Sequence, residues 1–451
     1  MVNSRIFVMA SIVLAMLVAS MDTTIMNTTM PIIAKELGGF SLYAWAFASY
    51  MITTTVLSPI AGRLSDIFGR KKVFSFGIIL FLIGSLLCGM SQNMAQLVLF
   101  RAVQGIGAGF MMPFPAIIAG DLFPVEKRGV IQAFFTAMWG ISAVIAPLLG
   151  ALFVEYASWR WIFYINIPIC LLSLLTLLPY KEVYEPKRTS IDYIGAVLFA
   201  AAISLLLLMT VVKSNQWMYG VIGAVLLVVF YLYEKKQTSP LVPLALVQHK
   251  TLKWMNINGF VSCVALFGTS SYIPLFLQNI AHKTVFVSGL ALLGMSIGWM
   301  IAAVPAGKWI LRYGYRILLI IGNVLLVLSG LLLALLNESH GFLYVFFAMF
   351  IQGLSFGLTS TVGVIGSQQL ADAHEKGIAT SFFMFCRNIG TAIGVTIMGA
   401  FLTKAADFMT GIHHLFLFGF IGSIVALLTS FLIWDESERE KNNLLRSGEM
   451  A

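Results

Sequence analysis

Fourteen times along this 451-residue chain the sequence runs for about 20 residues with almost no charge, the length a helix needs to cross the hydrocarbon of a bilayer. The runs fall at roughly 6–29, 41–61, 73–91, 96–118, 131–154, 161–179, 191–212, 217–233, 254–279, 286–307, 317–336, 341–365, 378–403 and 411–433. Hydrocarbon offers no water to backbone N–H and C=O groups, so runs of this kind close their hydrogen bonds internally, as helices. The connections are too short to hold a soluble domain. Charged residues make up only 10% of the chain and hydrophobic ones 59%, against roughly a quarter charged in a soluble domain. That excludes the soluble classes. The net charge of +9 is scattered in short clusters between runs, which is not the single basic stripe of a nucleic-acid binder.

Cys88, Cys170, Cys263 and Cys386 all lie within apolar runs, with no spacing that suggests a disulfide or zinc site. His413 and His414 lack partners for a metal. Residues 1–20 mimic a signal peptide, with Arg5, an apolar core and Val18-Ala19-Ser20. The apolar run continues to about Met30, however, which predicts a retained first helix. Of the 28 Lys and Arg residues, 21 fall on one set of alternating connections and 5 on the other, with Arg101 and Arg387 inside runs. The positive-inside rule then places both termini in the cytoplasm.

The chain repeats itself. Gln104-Gly105-Ile106-Gly107-Ala108-Gly109 recurs 248 residues later as Gln352-Gly353-Leu354-Ser355-Phe356-Gly357. Arg128-Gly129 becomes Lys376-Gly377 at the same offset, and Gly62…Arg70 has a counterpart at Gly307…Arg316. This spacing predicts two homologous six-helix halves with two extra helices between them, the build in which secondary transporters place a site at the repeat interface. The segments expected are 1–180 (first bundle), 181–250 (inserted helices and linkers) and 251–451 (second bundle and tail).

Charge inside the runs is scarce. Of the nineteen acids only Asp22 lies well inside a run, and an intramembrane carboxylate is a functional site by default because burying it costs several kcal/mol. Counted at 1.5 Å per residue, Asp22 is about 12 Å below the outer edge of its helix and Arg101 about 8 Å below the same edge. Arg387 is about 14 Å into its run. Glu155 sits at an outer rim, as either a second proton site or a solvated acid paired with Arg160. Asp121 stands at the inner end of run 4. Asp66 stands at a helix end, where it can pair with arginines on the cytoplasmic face; the plainer reading of its loop is a positive-inside cluster.

Gly62-Arg63-Leu64-Ser65-Asp66-Ile67-Phe68-Gly69-Arg70-Lys71-Lys72 resembles the loop 2–3 signature of the major facilitator superfamily. It departs at Ile67, usually basic, and its second copy has Leu311 in place of Asp66. Met21–Pro31, Arg101-Ala102-Val103-Gln104-Gly105, the Trp159–Pro168 corner and Gly377…Arg387-Asn388-Ile389-Gly390…Gly394 resemble motifs of the fourteen-helix drug:proton antiporter branch. Trp45 and Tyr50 fit its second helix. The fifth-helix antiporter motif is degraded, Ala146-Pro147-Leu148-Leu149-Gly150-Ala151 replacing Gly-Pro-x-x-Gly-Gly, although Pro147 and Gly150 keep a kink and close packing. Gly294 stands where that branch usually has proline.

The resemblance implies an all-α membrane protein with the major facilitator fold: two six-helix bundles plus two extra central helices. It implies a proton-coupled multidrug exporter in a bacterial plasma membrane, a non-enzyme with no cofactor beyond protons. Its partners would be small-molecule drugs and the bilayer, with no nucleic acid, and it would act as a monomer. Helices 1 and 4 are expected as neighbours on the central cavity, so Asp22 and Arg101 either pair directly or couple through Gln104, or Arg101 bonds helix backbone instead. The expected proton-coupling set is Asp22, Arg101 and Glu155. Gly62, Asp66, Gly69 and Arg70 are the expected conformational latch. Asn27, Gln104, Tyr272, Gln278, Arg387 and Asn388 are the candidate substrate contacts. Each of the uncharged positions is more often helix–helix glue than a ligand contact, and Arg387 either counters an anionic substrate group or packs structurally. Two other readings stand beside this one: a same-fold symporter for a small metabolite, and a polytopic lipid-handling enzyme. The enzyme would need a catalytic constellation, and Gly353–Gly357 does not supply one, since a nucleophile elbow requires a strand–turn–helix.

Overall fold

The computed structural model describes residues 2–38, 42–182, 192–211, 215–237, 240–242, 248–283, 285–337, 340–372, 374–404 and 408–434. Within helices a few side chains are also outside the description, among them those of Asn27, Pro147 and Gln278. Every regular element among the described residues is a helix. In chain order they are α1 (Val2–Leu37), α2 (Tyr43–Phe68), α3 (Arg70–Met90), α4 (Met94–Met111), α5 (Phe114–Leu122), α6 (Val125–Tyr156), α7 (Trp161–Tyr164) and α8 (Asn166–Leu177). They continue with α9 (Tyr193–Val211), α10 (Gln216–Glu234), α11 (Lys250–Ser270), α12 (Ile273–Asn279), α13 (Val285–Ala334), α14 (Phe342–Gln369), α15 (Lys376–Lys404) and α16 (Phe408–Ser430).

Each of the fourteen apolar runs is occupied by helix, but three are broken where local chemistry demands it. Run 4 divides into α4 and α5 at Pro113 and Pro115, which cannot donate to the preceding turn. Run 9 divides at Ser271-Tyr272, ahead of Pro274. Run 6 divides between α7 and α8 after the Trp-Arg-Trp corner. Conversely, α13 carries two runs joined at Gly314, whose φ of 74° and ψ of 176° break the helical path. Asn93 starts α4 by accepting a hydrogen bond from Gln96 N at 2.9 Å.

Polar residues in these apolar helices are buried as interhelical ties. Ser11 Oγ donates to the Ser173 carbonyl at 2.8 Å and joins α1 to α8. Ser20 and Ser142 hydroxyls meet at 2.6 Å and join α1 to α6. Asn258 Nδ2 donates to Ala426 O and Thr429 Oγ1 at 2.8 and 2.9 Å, while Asn323 Nδ2 reaches Asn258 Oδ1 at 3.2 Å. In hydrocarbon such bonds contribute about 0.6–2 kcal/mol each.

The described chain packs as two compact units. One holds residues 1–123, 135–244 and 371–385; the other holds 124–134, 245–370 and 386–451. Each unit thus takes in the first turns of a helix from the other half of the sequence, and glycine repeats from the sequence motifs explain how. In the first unit a side chain at Gly62 would meet Ser381 Oγ and the Gly377 carbonyl, the latter at 2.6 Å. In the second, a side chain at Gly129 would fall 2.5 Å from Ala303 O and 2.8 Å from Gly307 N. Gly62 and Gly307 are repeat mates, as are Gly377 and Gly129. The same backbone-on-backbone crossing is built twice.

Candidate functional site

The first unit contains an ionic cluster sealed in an apolar wall. Asp22, on α1, is 2% exposed and Arg101, on α4, is 1% exposed. Arg101 donates from its NH1 to Asp22 Oδ2 at 2.5 Å and to Gln104 Oε1 at 2.7 Å. Gln104, one helical turn on, donates from Nε2 to Asp22 Oδ1 and to Ser85 Oγ, both at 2.8 Å. Direct pairing and coupling through Gln104 are therefore both present, and Arg101 Nε also reaches the Ala46 carbonyl at 3.4 Å. The Arg101 guanidinium lies 4.2 Å above the Tyr50 ring, a cation–π contact strengthened by the burial of both groups.

Two further groups complete the cluster. Asn166, the first residue of α8, donates from Nδ2 to Asp22 Oδ1 at 3.5 Å and to Ser85 Oγ at 3.2 Å. Ser85, on α3, receives both amides. The wall is apolar: Met21, Ile25, Met26, Cys88, Trp159 and Phe163 are among the buried residues that close round it. A carboxylate with an arginine and two amide donors is fully satisfied here, and removing any one donor leaves charge in a medium that cannot solvate it.

The second cluster of the first unit lies at the far end of α2. Asp66 is 2% exposed. It accepts from Arg70 NH1 at 2.5 Å, from Gly377 N at 3.0 Å and from Ile378 N at 2.9 Å. The last two are N–H groups of the first turn of α15, so Asp66 caps that helix and meets the positive end of its dipole. Arg70 Nε reaches Asp121 Oδ2 at 3.1 Å, and its NH1 also bonds Ser65 Oγ. Gly69 turns the chain between α2 and α3 at φ 96°, a conformation that suits glycine. Glu182 Oε1 then accepts from Lys71 N at 2.6 Å.

The remaining residues singled out from the sequence do not join these clusters. Glu155 is exposed, and Arg160 pairs instead with Glu36 at 3.3 Å and with the Ser91 carbonyl at 2.9 Å. In the second unit the Tyr272 hydroxyl donates to Val395 O at 2.8 Å and ties α15 down. Arg387 lies 4.7 Å above the Phe356 ring, next to the Cys263 thiol, while Asn388 is exposed. Gly150 is buried on α6. Asn27, Gln278 and Pro147 fall outside the described side chains. Sequence reasoning passed over Ser85, Asn166, Asp121 as a partner for Arg70, and Glu182. Asn166 was the most accessible of these, since it stands inside the Trp159–Pro168 corner.

The profile described as Major Facilitator Superfamily matches residues 12–268 and again 255–449, once for each half. Multidrug resistance protein 3 of Bacillus subtilis (strain 168) is 35% identical over 407 residues, covering 88% of this chain and 80% of the relative. Multidrug transporter protein MdtP of the same organism is 32% identical over 407 residues, with 88% and 75% covered. Among solved structures, the human organic anion transporter MFSD10 superposes with a TM-score of 0.73 at 14% identity, over 96% of this chain and 99% of that one. The proton:xylose symporter XylE superposes at 0.67, also at 14% identity, over 94% and 95%. At that identity the two structures speak for the fold.

Proposed function

This chain belongs to the Major Facilitator Superfamily and is a transporter, not an enzyme, and we propose that it is a proton-coupled antiporter exporting amphipathic drugs, cations or zwitterions, from a bacterial cytoplasm. The observation that carries this reading is the buried Asp22–Arg101 pair bridged by Gln104. The names of the bacterial relatives support the substrate class.

A coupling acid must exchange a proton while the rest of its site stays put. Asp22 meets that need, because protonation removes the charge that Arg101 and Gln104 hold. A proton arriving from outside converts Asp22 to a neutral acid, frees the Arg101 guanidinium to reorient over Tyr50, and lowers the attraction for a bound cation. Discharge to the cytoplasm restores the ion pair. The Asp66–Arg70 cap on the first turn of α15 acts as the latch of the outward-facing state, since both N–H bonds must break for α2 and α15 to separate. Asn27, Gln104, Tyr272, Gln278, Arg387 and Asn388 contribute substrate contacts, and Glu155 offers a second, rim-side acid. The protein acts as a monomer in the inner membrane with both termini cytoplasmic, uses protons as its coupling ion and needs no other cofactor.

Everted membrane vesicles acidified inside by respiration test the proposal. Antiport accumulates drug inside while dissipating the pH gradient, whereas a symporter of the same fold moves substrate outward with protons. Asp22→Asn is expected to leave folded protein in the membrane and to lose gradient-driven accumulation. Export by Asp22→Asn with unchanged pH dependence would overturn the mechanism.

A further inference from the structure

The two inserted helices hold a polar centre unrelated to the Asp22 cluster. Asp192 stands immediately before α9 and caps it, its Oδ1 accepting from Gly195 N at 2.8 Å. Glu234 is the last residue of α10, is 1% exposed, and accepts on Oε1 from Leu241 N at 3.2 Å. The two carboxyls converge over Gly195: a Cβ placed there would meet Asp192 Oδ2 at 2.2 Å and Glu234 Oε1 at 2.5 Å. Both oxygens therefore lie within 2.5 Å of one point. Asp192 Oδ2 and Glu234 Oε2 are buried and, among the described residues, receive no hydrogen bond.

The Tyr233 hydroxyl lies beside Asp192. Lys235 and Lys236 are exposed, and Lys235 turns its amine to the Tyr231 ring at 5.0 Å. Among the described residues no cation pairs with either acid, and neither α2, which packs on α9, nor the segment at Leu241 presents a charge to Glu234. Two carboxylates cannot both stay ionised in such a place, so one keeps a proton. The helix ends decide which. Asp192 sits at the positive end of α9, where ionised acid is favoured, and Glu234 at the negative end of α10, where it is disfavoured.

We propose that Asp192 and Glu234 form a second proton-binding site, in which protonated Glu234 donates from Oε2 to ionised Asp192 and clasps the ends of α9 and α10 to each other and to the Leu241 segment. This site releases its proton as the adjoining compartment turns alkaline, and the clasp then loosens. The compartment is the cytoplasm if the topology proposed above holds; the shared proton itself does not depend on that topology or on transport.

Infrared spectroscopy and thermal unfolding of the purified full chain test the site directly. In wild-type protein at neutral pH a protonated-carboxyl C=O band, shifted by exchange into deuterium oxide, is expected, and Glu234→Gln should lack it while Asp22→Asn keeps it. A proton bound in the folded state and released from unfolded chain stabilises below the folded-state titration and is lost as pH rises through it. Wild-type Tm should therefore fall from neutral to alkaline pH, and Glu234→Gln, whose amide donates permanently to Asp192, should match wild type at neutral pH and lose that slope. Asp192→Asn is a second variant that should also abolish the band. Persistence of the band in both variants, or superposed pH profiles of wild type and Glu234→Gln, would overturn the proposal. So would a rise in wild-type Tm with sodium, potassium or calcium that Glu234→Gln does not share, since a metal ion would then occupy the pair.

Discussion

The two halves of the chain place the same glutamine on the same helix and use it for different chemistry. Gln104 reaches Asp22 and Arg101. Its repeat mate Gln352 donates to Thr269 Oγ1 at 2.9 Å and to the Leu266 carbonyl at 3.2 Å. Where the first half has Arg101, the second has Met349, fully buried among apolar neighbours. One scaffold therefore supports an ion pair in one half and a neutral hydroxyl tie in the other. The packing is duplicated and the charge is not, which separates the residues that build helix crossings from those that can carry a proton.

Erasing the difference should produce the largest effect. Arg101→Met copies the second half and strands Asp22 in its apolar wall. Breaking a buried pair from one side costs about 3–5 kcal/mol, so folded yield and Tm should drop sharply. The double variant Asp22→Thr/Arg101→Met makes the whole replacement and should recover most of that loss while remaining unable to couple transport to the pH gradient. Thermal unfolding together with vesicle transport checks both parts. A double variant no more stable than Arg101→Met would mean that the pair is not the source of the cost.

The duplicated packing makes the opposite forecast, symmetry. Gly62→Ala sets a methyl against Ser381 and the Gly377 carbonyl, and Gly307→Ala sets one 2.5 Å from the Val125 carbonyl. Overpacking of this kind costs about 1–3 kcal/mol, and both variants should destabilise by similar amounts. Transport should distinguish them, because only the Gly62 crossing carries a carboxylate cap: Leu311, at the position matching Asp66, is 55% exposed. Equal transport defects in the two variants would assign the latch to the crossing itself, not to Asp66.

Which parts of this were readable from sequence follows from the same contrast. A charged residue inside an apolar run announces itself, so Asp22 and Arg101 stood out, and the repeat exposed Gln104 and the crossing glycines. The helices were legible as runs of the right length, with breaks at Pro113, ahead of Pro274 and at Gly314, and one more at Ile165 after the Trp-Arg-Trp corner. Partners were not legible. Asn166 and Ser85 are polar but uncharged, and Asn166 reaching Asp22 while Ser85 receives the two amides depends on how α3 and α8 approach α1. Asp192 and Glu234 stand at the ends of apolar runs, where acids are ordinary, and only folding reveals that they face each other. The pairing of Glu155 with Arg160 misled for the converse reason: Arg160, its neighbour in sequence, pairs with Glu36 in space.

The smallest effect should come from the second glutamine. Gln352→Leu removes two bonds, but the Thr269 hydroxyl still donates to its own helix at Ala265 O, 2.9 Å away, and no charge is stranded. A neutral hydrogen bond contributes about 1 kcal/mol, so Tm should shift slightly and the pH dependence of transport should be unchanged. Gln104→Leu withdraws a bond from a carboxylate, worth about 1.5–3 kcal/mol, and leaves Asn166 as the remaining amide donor to Asp22. Its transport should shift in pH dependence as well as in rate, because the ionised form of Asp22 loses a donor. Similar behaviour of the two variants would mean that the repeated glutamine serves packing alone in both halves, and the asymmetry of the charges would then rest on Arg101 without its bridge.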